Sequence, residues 1–268
     1  MSRSPRRLPA ALGRVIAFAV VLTACGGPSL PTLTDPIEII TAGLSSTESA
    51  RSVHIEVKVD GEVNADLSGR TGTATKFPLT GTTASADVDM AGGKARATFA
   101  VPALLNLSGE VIQIGEISYV KTSLGGPLFE VQEVVGSLPV DPTDASGIFD
   151  DVSDLLMADG VDPVKGDDVE CGGTQCYTVM IELTADELAA LGVAVPGSPE
   201  LFALPLDLGD ISLVVTVRVE KDTYRLAGAA TVVSLGETGS LTVDVTASKW
   251  DEPMNISPPP ADQIKPAT

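Results

Sequence analysis

Three cysteines, a single histidine and a run of aspartates are the side chains of this 268-residue chain whose types and spacing could do chemistry. Cys25 closes the tetrapeptide Leu22-Thr23-Ala24-Cys25, which resembles the bacterial lipobox, where the cysteine sulfur takes a diacylglycerol and a peptidase then cuts just before it. Cys171 and Cys176 are separated by Gly172-Gly173-Thr174-Gln175. In an exported chain so close a pair reads as a disulfide across a tight turn. Closing this small loop constrains the unfolded chain by only ~2 kcal/mol. A metal site there would need two more soft or imidazole ligands, and His54 is the only histidine, so no metal and no cofactor are expected.

His54 alternates with Glu56 and Lys58, and no Gly-x-Ser-x-Gly occurs to place a nucleophile on a constrained turn. It reads as a residue of a wet strand face, and no catalytic residue is assigned. Asp141, Asp144, Asp150, Asp151, Asp154, Asp159, Asp162, Asp167 and Asp168 lack the alternating ligand spacing of a calcium loop and read as caps and solvated surface.

The elements that must position these residues follow from periodicity. Arg3, Arg6, Arg7 and Arg14 precede the apolar run Val15 to Leu22, which makes residues 1–24 a secretory signal; the run is about half the ~20 residues of a spanning helix. Residues 25–34 then form a tether from the lipidated cysteine. Asp35-Pro36-Ile37-Glu38 opens an amphipathic helix with Ile37, Ile40 and Leu44 on one face. From Ser52 the period drops to two, with Val53, Ile55, Val57 and Val59 on one side. The same alternation recurs weakly at Val63–Leu67, then at Ala84–Met90, Ala95–Phe99, Tyr177–Leu183, Ile211–Val219 and Leu241–Ala247, with further strands at Val111–Ile114 and Ile117–Lys121 and, on length and composition, at Tyr224–Val233. Ile148, Val152, Leu155 and Leu156 fall at helical spacing, and Thr184-Ala185-Asp186-Glu187 is a capping box for a short helix.

Many strands in hairpin succession with a few helices predict an α+β, mainly antiparallel β fold: one domain over 35–257 built on a curved sheet, with 258–268 as a Pro-rich extended tail. Removing residues 1–24 takes away four of 17 basic residues and none of 36 acidic ones, so the net charge moves from −19 to −23. Such a surface repels phosphate backbones and excludes nucleic acid as a partner.

Ala65, Ala84, Ala86, Ala95, Ala97, Gly228 and Ala230 take positions expected on dry faces, where larger residues normally fill the interior to a density of about 0.74. Either helices approach closely there, or space is left for a ligand. The second alternative makes Ala86, Ala97, Ile181, Leu213, Val215 and Val217 of the sheet, and Ile148, Val152, Leu155 and Leu156 of the helix, the candidate cavity lining.

Taken in order, the lipobox, the amphipathic helix, Ser52-Val53-His54, Gly115-Glu116-Ile117-Ser118-Tyr119-Val120, Cys176-Tyr177-Thr178-Val179 and the closing Trp250 with Met254-Asn255-Ile256-Ser257-Pro258-Pro259 resemble the LppX and LprG family of actinobacterial envelope lipoproteins. Phe129 departs from the tryptophan that relatives often carry there. The resemblance implies a LolA-like, half-open β-barrel with helices over its concave face, and binding of a lipid or acylated glycolipid in an apolar cavity for transport or presentation. It leaves room for a membrane transporter or acceptor protein as partner. The rivals are an envelope scaffold with a filled core and no ligand, and a hydrolase using carboxylates that spacing alone does not pair.

The anchor is the sharpest expectation. Acyl chains at Cys25, palmitate among them, at ~0.8 kcal/mol per buried CH₂, would hold the chain to the outer face of the cell membrane. Cys25→Ser should abolish acylation and shift the protein out of the detergent phase, with N-terminal mass reporting the missing lipid; unchanged mass and partitioning would refute it.

Overall fold

The computed structural model describes residues 30–65, 75–133, 161–190 and 211–266. The alternating segments form β1 (Ser52–Ala65), β2 (Thr75–Pro78), β3 (Thr82–Asp89), β4 (Lys94–Val101), β5 (Leu107–Ile114), β6 (Ile117–Thr122), β7 (Glu130–Glu133), β8 (Val164–Lys165), β9 (Val169–Cys171), β10 (Thr174–Thr184), β11 (Ile211–Glu220), β12 (Leu226–Leu235) and β13 (Gly239–Ser248). Among the described residues they are accompanied by two α-helices, α1 (Pro36–Glu48) and α2 (Ala185–Ala190).

These 13 strands make one sheet in the order β7-β6-β5-β4-β3-β1-β13-β12-β11-β10-β8, with β2 on β1 and β9 on β10, and the α+β, half-open barrel follows from that order. Neighbours pair antiparallel, and β7 and β8 stand at opposite ends of the path without pairing to each other. Most pairings are hairpins between consecutive strands. The exceptions are β8, which pairs with β10, and β1, which lies between β3 and the final strand β13 and so joins the two halves of the barrel.

Direct cross-strand partners point to one side of a sheet. Following the register from Val57 leads to Val245, Ala229, Val217 and Val179 in one direction and to Ala84, Phe99 and Gly109 in the other. This chain of partners lies on the concave face. The intervening residues, His54, Glu56, Arg96, Glu110, Arg218 and Asp244 among them, lie on the convex face.

Helix α1 starts where the sequence signals it. Asp35 accepts a hydrogen bond from the Glu38 amide at 3.0 Å, and Pro36 takes the first turn, where no amide is required. It covers the concave face over β10, β11 and β12, where Ile39 and Ile40 are buried against Tyr177, Val179, Ile181, Leu183, Ile211 and Val219. Gly43 weakens the helix on propensity but permits this approach: a Cβ there would sit 3.0 Å from Val219 Cγ2 and 3.1 Å from Leu226 Cδ2. Short α2 carries the expected capping box, with the Thr184 amide donating to Glu187 Oε2 at 2.7 Å and the Glu187 amide to Thr184 Oγ1 at 3.4 Å.

A smaller core sits on the convex side. The segment after β13 runs back over β5 and β6, burying Ile256 against Ile112 and Phe129, and Phe129 bridges in parallel to Ile264. The Phe129 amide donates to the Gln263 carbonyl and the Lys265 amide to the Phe129 carbonyl, each at 2.8 Å. Phe129 thus fills the hub of this core.

One register expectation is corrected. Gly228 and Ala230 face outward, because the β11–β12 pairing shifts between Arg218 and Val219 and places both Leu226 and Ala227 near one partner. Gly228 pairs with Arg218 and adopts φ +144°. A Cβ added there would lie 2.0 Å from the Val245 carbonyl oxygen, so Gly228→Ala should destabilise the fold by about 2 kcal/mol through strain and steric clash. Chemical denaturation would check this; an unchanged midpoint would show that the bulge relaxes at no cost.

Candidate functional site

The concave face is continuous in chemistry but not in cover. Beneath α1 it is a closed core: Val179 and Val219 are 0% exposed, and Ile181 is 3%. Across β1, β3, β4 and β5 it changes character, and Ile55, Val57, Ala84, Ala86, Ala97, Phe99 and Val111 are only half-buried. Among the described residues α1 covers only the β10–β12 part of that face.

Small side chains form the floor of this open part. Ala86 and Ala97 are direct cross-strand partners, Ala84 lies opposite Phe99, and Ala95 and Gly109 extend the small surface on both sides. Phe99 leans across Gly109, where a Cβ would meet its ring at 2.5 Å. The result is a shallow apolar trough with one aromatic wall. Its end nearest the β5–β6 turn becomes polar and closed: Gln113 and Ser118, cross-strand partners on the same face, are 8% and 5% exposed. Gln113 Nε2 donates to the Gly115 carbonyl at 3.3 Å, while the Ser118 hydroxyl has no partner among the described residues.

The sequence-derived lining residues divide between these environments. Ala86 and Ala97 lie in the open trough. Ile181 belongs to the core under α1, with Leu213, Val215 and Val217 packed against that core. Ile148, Val152, Leu155, Leu156 and Cys25 lie outside the described residues, as do the aspartates from Asp141 to Asp159. Phe99, Val57 and Val111 were not singled out as lining, although β1, β4 and β5 alternate; the missing information was which strands become neighbours. A depression of about 310 Å³ centred on Ala84 is bounded by Glu56, Lys58, Thr83, Ser85 and Thr98, whose side chains belong to the convex face. The described residues therefore define an open apolar surface on the concave side, not an enclosed cavity.

Among the described residues most charges lie on the other face and in the turns, while Glu130 and Lys165, the partners of Val120 and Val179, stand on the concave register at the two outer edges of the sheet. His54 Nδ1 lies 2.6 Å from Asp87 Oδ1, its cross-strand partner, and its Nε2 lies 3.5 Å from Glu56 Oε1. Both ring nitrogens face carboxylates, which leaves neither directed at a hydroxyl nucleophile. Glu110 bridges Arg96 at 2.6 Å and Lys121 at 2.9 Å. Burial alone would push the Glu110 carboxyl up, but hydrogen bonds from Lys121 and Arg96 outweigh it and hold it below the usual carboxylate range. Asp168 is likewise held low, chiefly by its hydrogen bond from Lys221 and further by Lys165. Both lysines also face the Tyr177 ring, at 4.9 Å and 5.8 Å from its centroid.

Tyr177 ties the start of the chain to this region. Its hydroxyl accepts a hydrogen bond from the Leu33 amide at 3.1 Å, Leu33 itself is buried, and the Tyr224 hydroxyl donates to the Pro31 carbonyl. Residues from Pro31 onward are thus held against the barrel.

Taken together, these residues form an open antiparallel barrel with a helix over one half of its concave face. The chain has the fold of LprF from Mycobacterium bovis, to which it is 19% identical over 84% of this chain and 96% of that one, with a TM-score of 0.50. The lipoprotein LppX from Mycobacterium tuberculosis aligns over 84% of this chain and all of its own at 21% identity and a TM-score of 0.47. A LolA superfamily protein from Nitrosomonas europaea aligns over 82% and 96% at 10% identity and a TM-score of 0.27. No family model and no curated protein matches the chain.

Cys171 and Cys176 are joined, with Cα atoms 6.0 Å apart. Gly172 and Gly173, at φ +58° and +90°, make the two-residue turn between β9 and β10 that left-handed backbone requires. Thiol labelling of the folded, non-reduced protein should therefore detect neither cysteine, and labelling of both would refute the bond.

Proposed function

We propose that this chain is a non-enzymatic lipoprotein, held by Cys25 at the extracytoplasmic face of the cell membrane, that takes acyl chains of a lipid or glycolipid onto its concave face for transport or presentation in the envelope. The half-buried trough floored by Ala84, Ala86, Ala95 and Ala97 carries the reading. Apolar side chains left half in water forgo about 25 cal/mol per Å² of burial. Acyl chains laid there would gain ~0.8 kcal/mol per buried CH₂. Among the described residues no helix is long and apolar enough to cross a membrane.

The carboxylates facing both nitrogens of His54 favour the binding reading over a hydrolase. The closed core under α1 favours, for that half alone, the rival of a filled scaffold.

Ala97→Phe separates these readings. In an open trough it should weaken binding of a fluorescent fatty-acid probe with little loss of stability. In a filled core the same change would overpack and lose 1–3 kcal/mol. Native mass spectrometry of the intact protein should also show co-purifying lipid. A parent protein that carries no lipid and binds no probe would exclude the carrier.

A further inference from the structure

The turns β2–β3 (79–81), β4–β5 (102–106) and β6–β7 (123–128) lie together at one end of the barrel. A Cβ on Gly81 would contact Pro102 Cγ at 3.6 Å, the Ser123 amide donates to the Ser108 carbonyl at 2.8 Å, and the Ser108 amide donates to Ser123 Oγ at 3.1 Å. In a chain that is 20% charged these three turns contain no ionisable side chain. The opposite ends of the same strands carry Asp89, Lys94 and Glu116.

The neutral turns instead present leucines to water. Leu105 is 86% exposed, Leu124 71% and Leu104 44%. Leu105 and Asn106 are consecutive left-handed residues, at φ +54° and +56°. Asparagine tolerates that conformation, but for leucine it is unfavourable. The Asn106 amide donates to the Pro102 carbonyl at 3.0 Å and the Leu107 amide to the Leu104 carbonyl at 2.9 Å, so the turn is built to hold this shape. A strained backbone therefore projects an apolar side chain outward, and nothing among the described residues covers it.

The strands that end in these turns are β3 to β6, which include the alanine floor of the trough. We infer that this end of the barrel is a membrane-docking rim: Leu104, Leu105 and Leu124 enter the interfacial region of a lipid bilayer while ligand passes between bilayer and trough, an inference that rests on the carrier reading. Exposed leucines on two separate turns suit insertion between headgroups, where each side chain gains by its own burial. They are a poor match for a stable protein interface, which needs about 1,000 Å² of continuous complementary surface. Neutrality matters equally, because the strongly acidic body is repelled by anionic headgroups and these turns are not.

The test uses the full lipidated chain in phosphatidylcholine–phosphatidylglycerol vesicles, with an environment-sensitive fluorophore on Leu105→Cys, on Leu124→Cys, or on Asp222→Cys in the β11–β12 turn at the other end. Nitroxide-labelled phosphatidylcholine is placed either in the same vesicles or in a second population. Quenching at residues 105 and 124 at least twofold above that at 222, from either population, is expected; equal or absent quenching overturns the rim and leaves a protein partner as its occupant. Separately, Leu105→Asp combined with Leu124→Asp should slow transfer of a fluorescent acyl lipid between vesicles several-fold at unchanged melting temperature and unchanged affinity for a soluble acyl probe. An unchanged transfer rate also overturns the rim. A parent that binds no acyl probe defeats the carrier reading, whereas the quenching comparison still decides whether the rim meets lipid.

Discussion

The inward direction of the barrel's side chains depends on the pairing of β1 with β13 on one side and β3 on the other. Ten β1 positions from His54 to Val63 are matched to β13 and eight from Ser52 to Val59 to β3. A slip of one residue at either seam would turn Val53, Ile55, Val57 and Val59 outward relative to their neighbours and bring His54, Glu56 and Lys58 into the apolar face. That penalty fixes the register. It also makes the contact between the first strand and the last a long-range one, whose loop-closure entropy must be offset by the pairing.

Within the face so defined, α1 decides which part is core and which part is available. Its docking over β10 to β12 depends on Ile39 and Ile40 for burial and on Gly43 for close approach to Val219 and Leu226. Beneath it large β-branched and aliphatic residues interlock. Beyond it, alanines of β3 and β4, a glycine of β5 and one leaning phenylalanine lie between the valines and isoleucine of β1 and Val111. The same curved sheet thus provides a rigid half that maintains the shape and a half whose apolar atoms remain partly in water. The disulfide hairpin and the Asp168–Lys221 pair brace the rigid half at its edge.

Polar groups follow the same division. Ion pairs at Arg96–Glu110–Lys121 and Arg218–Asp244 occupy the convex face, where water screens them and each contributes little on its own. Their value lies in direction, since the strands cannot invert without burying them. The middle of the concave face is mostly apolar, with Gln113 and Ser118 near one end and Glu130, Gln132 and Lys165 at the outer strands, and the leucine turns extend the apolar character to one rim.

Much of this was legible in the chain. Alternation at Val53–Val59, Tyr177–Leu183, Ile211–Val219 and Leu241–Ala247 assigns strands and their two faces, because period two is a property of the extended backbone itself. The Asp35-Pro36 start, the Thr184–Glu187 box and the Gly172-Gly173 turn are equally local, so each forms where its residues require. Alternation does not say which strands are neighbours, and so the gathering of Ala84, Ala86, Ala97 and Phe99 into one trough, like the placing of Ile181 under α1 rather than beside it, came only from the tertiary pairing. The bulge opposite Val219 shows the same limit at a single residue: counting by twos places Gly228 and Ala230 inward, but an extra residue near one partner reverses them. The sequence determined the strands, their faces and the caps through short-range stereochemistry; the tertiary structure alone decided which faces meet and which apolar surface stays open, because those depend on contacts between residues far apart in the chain.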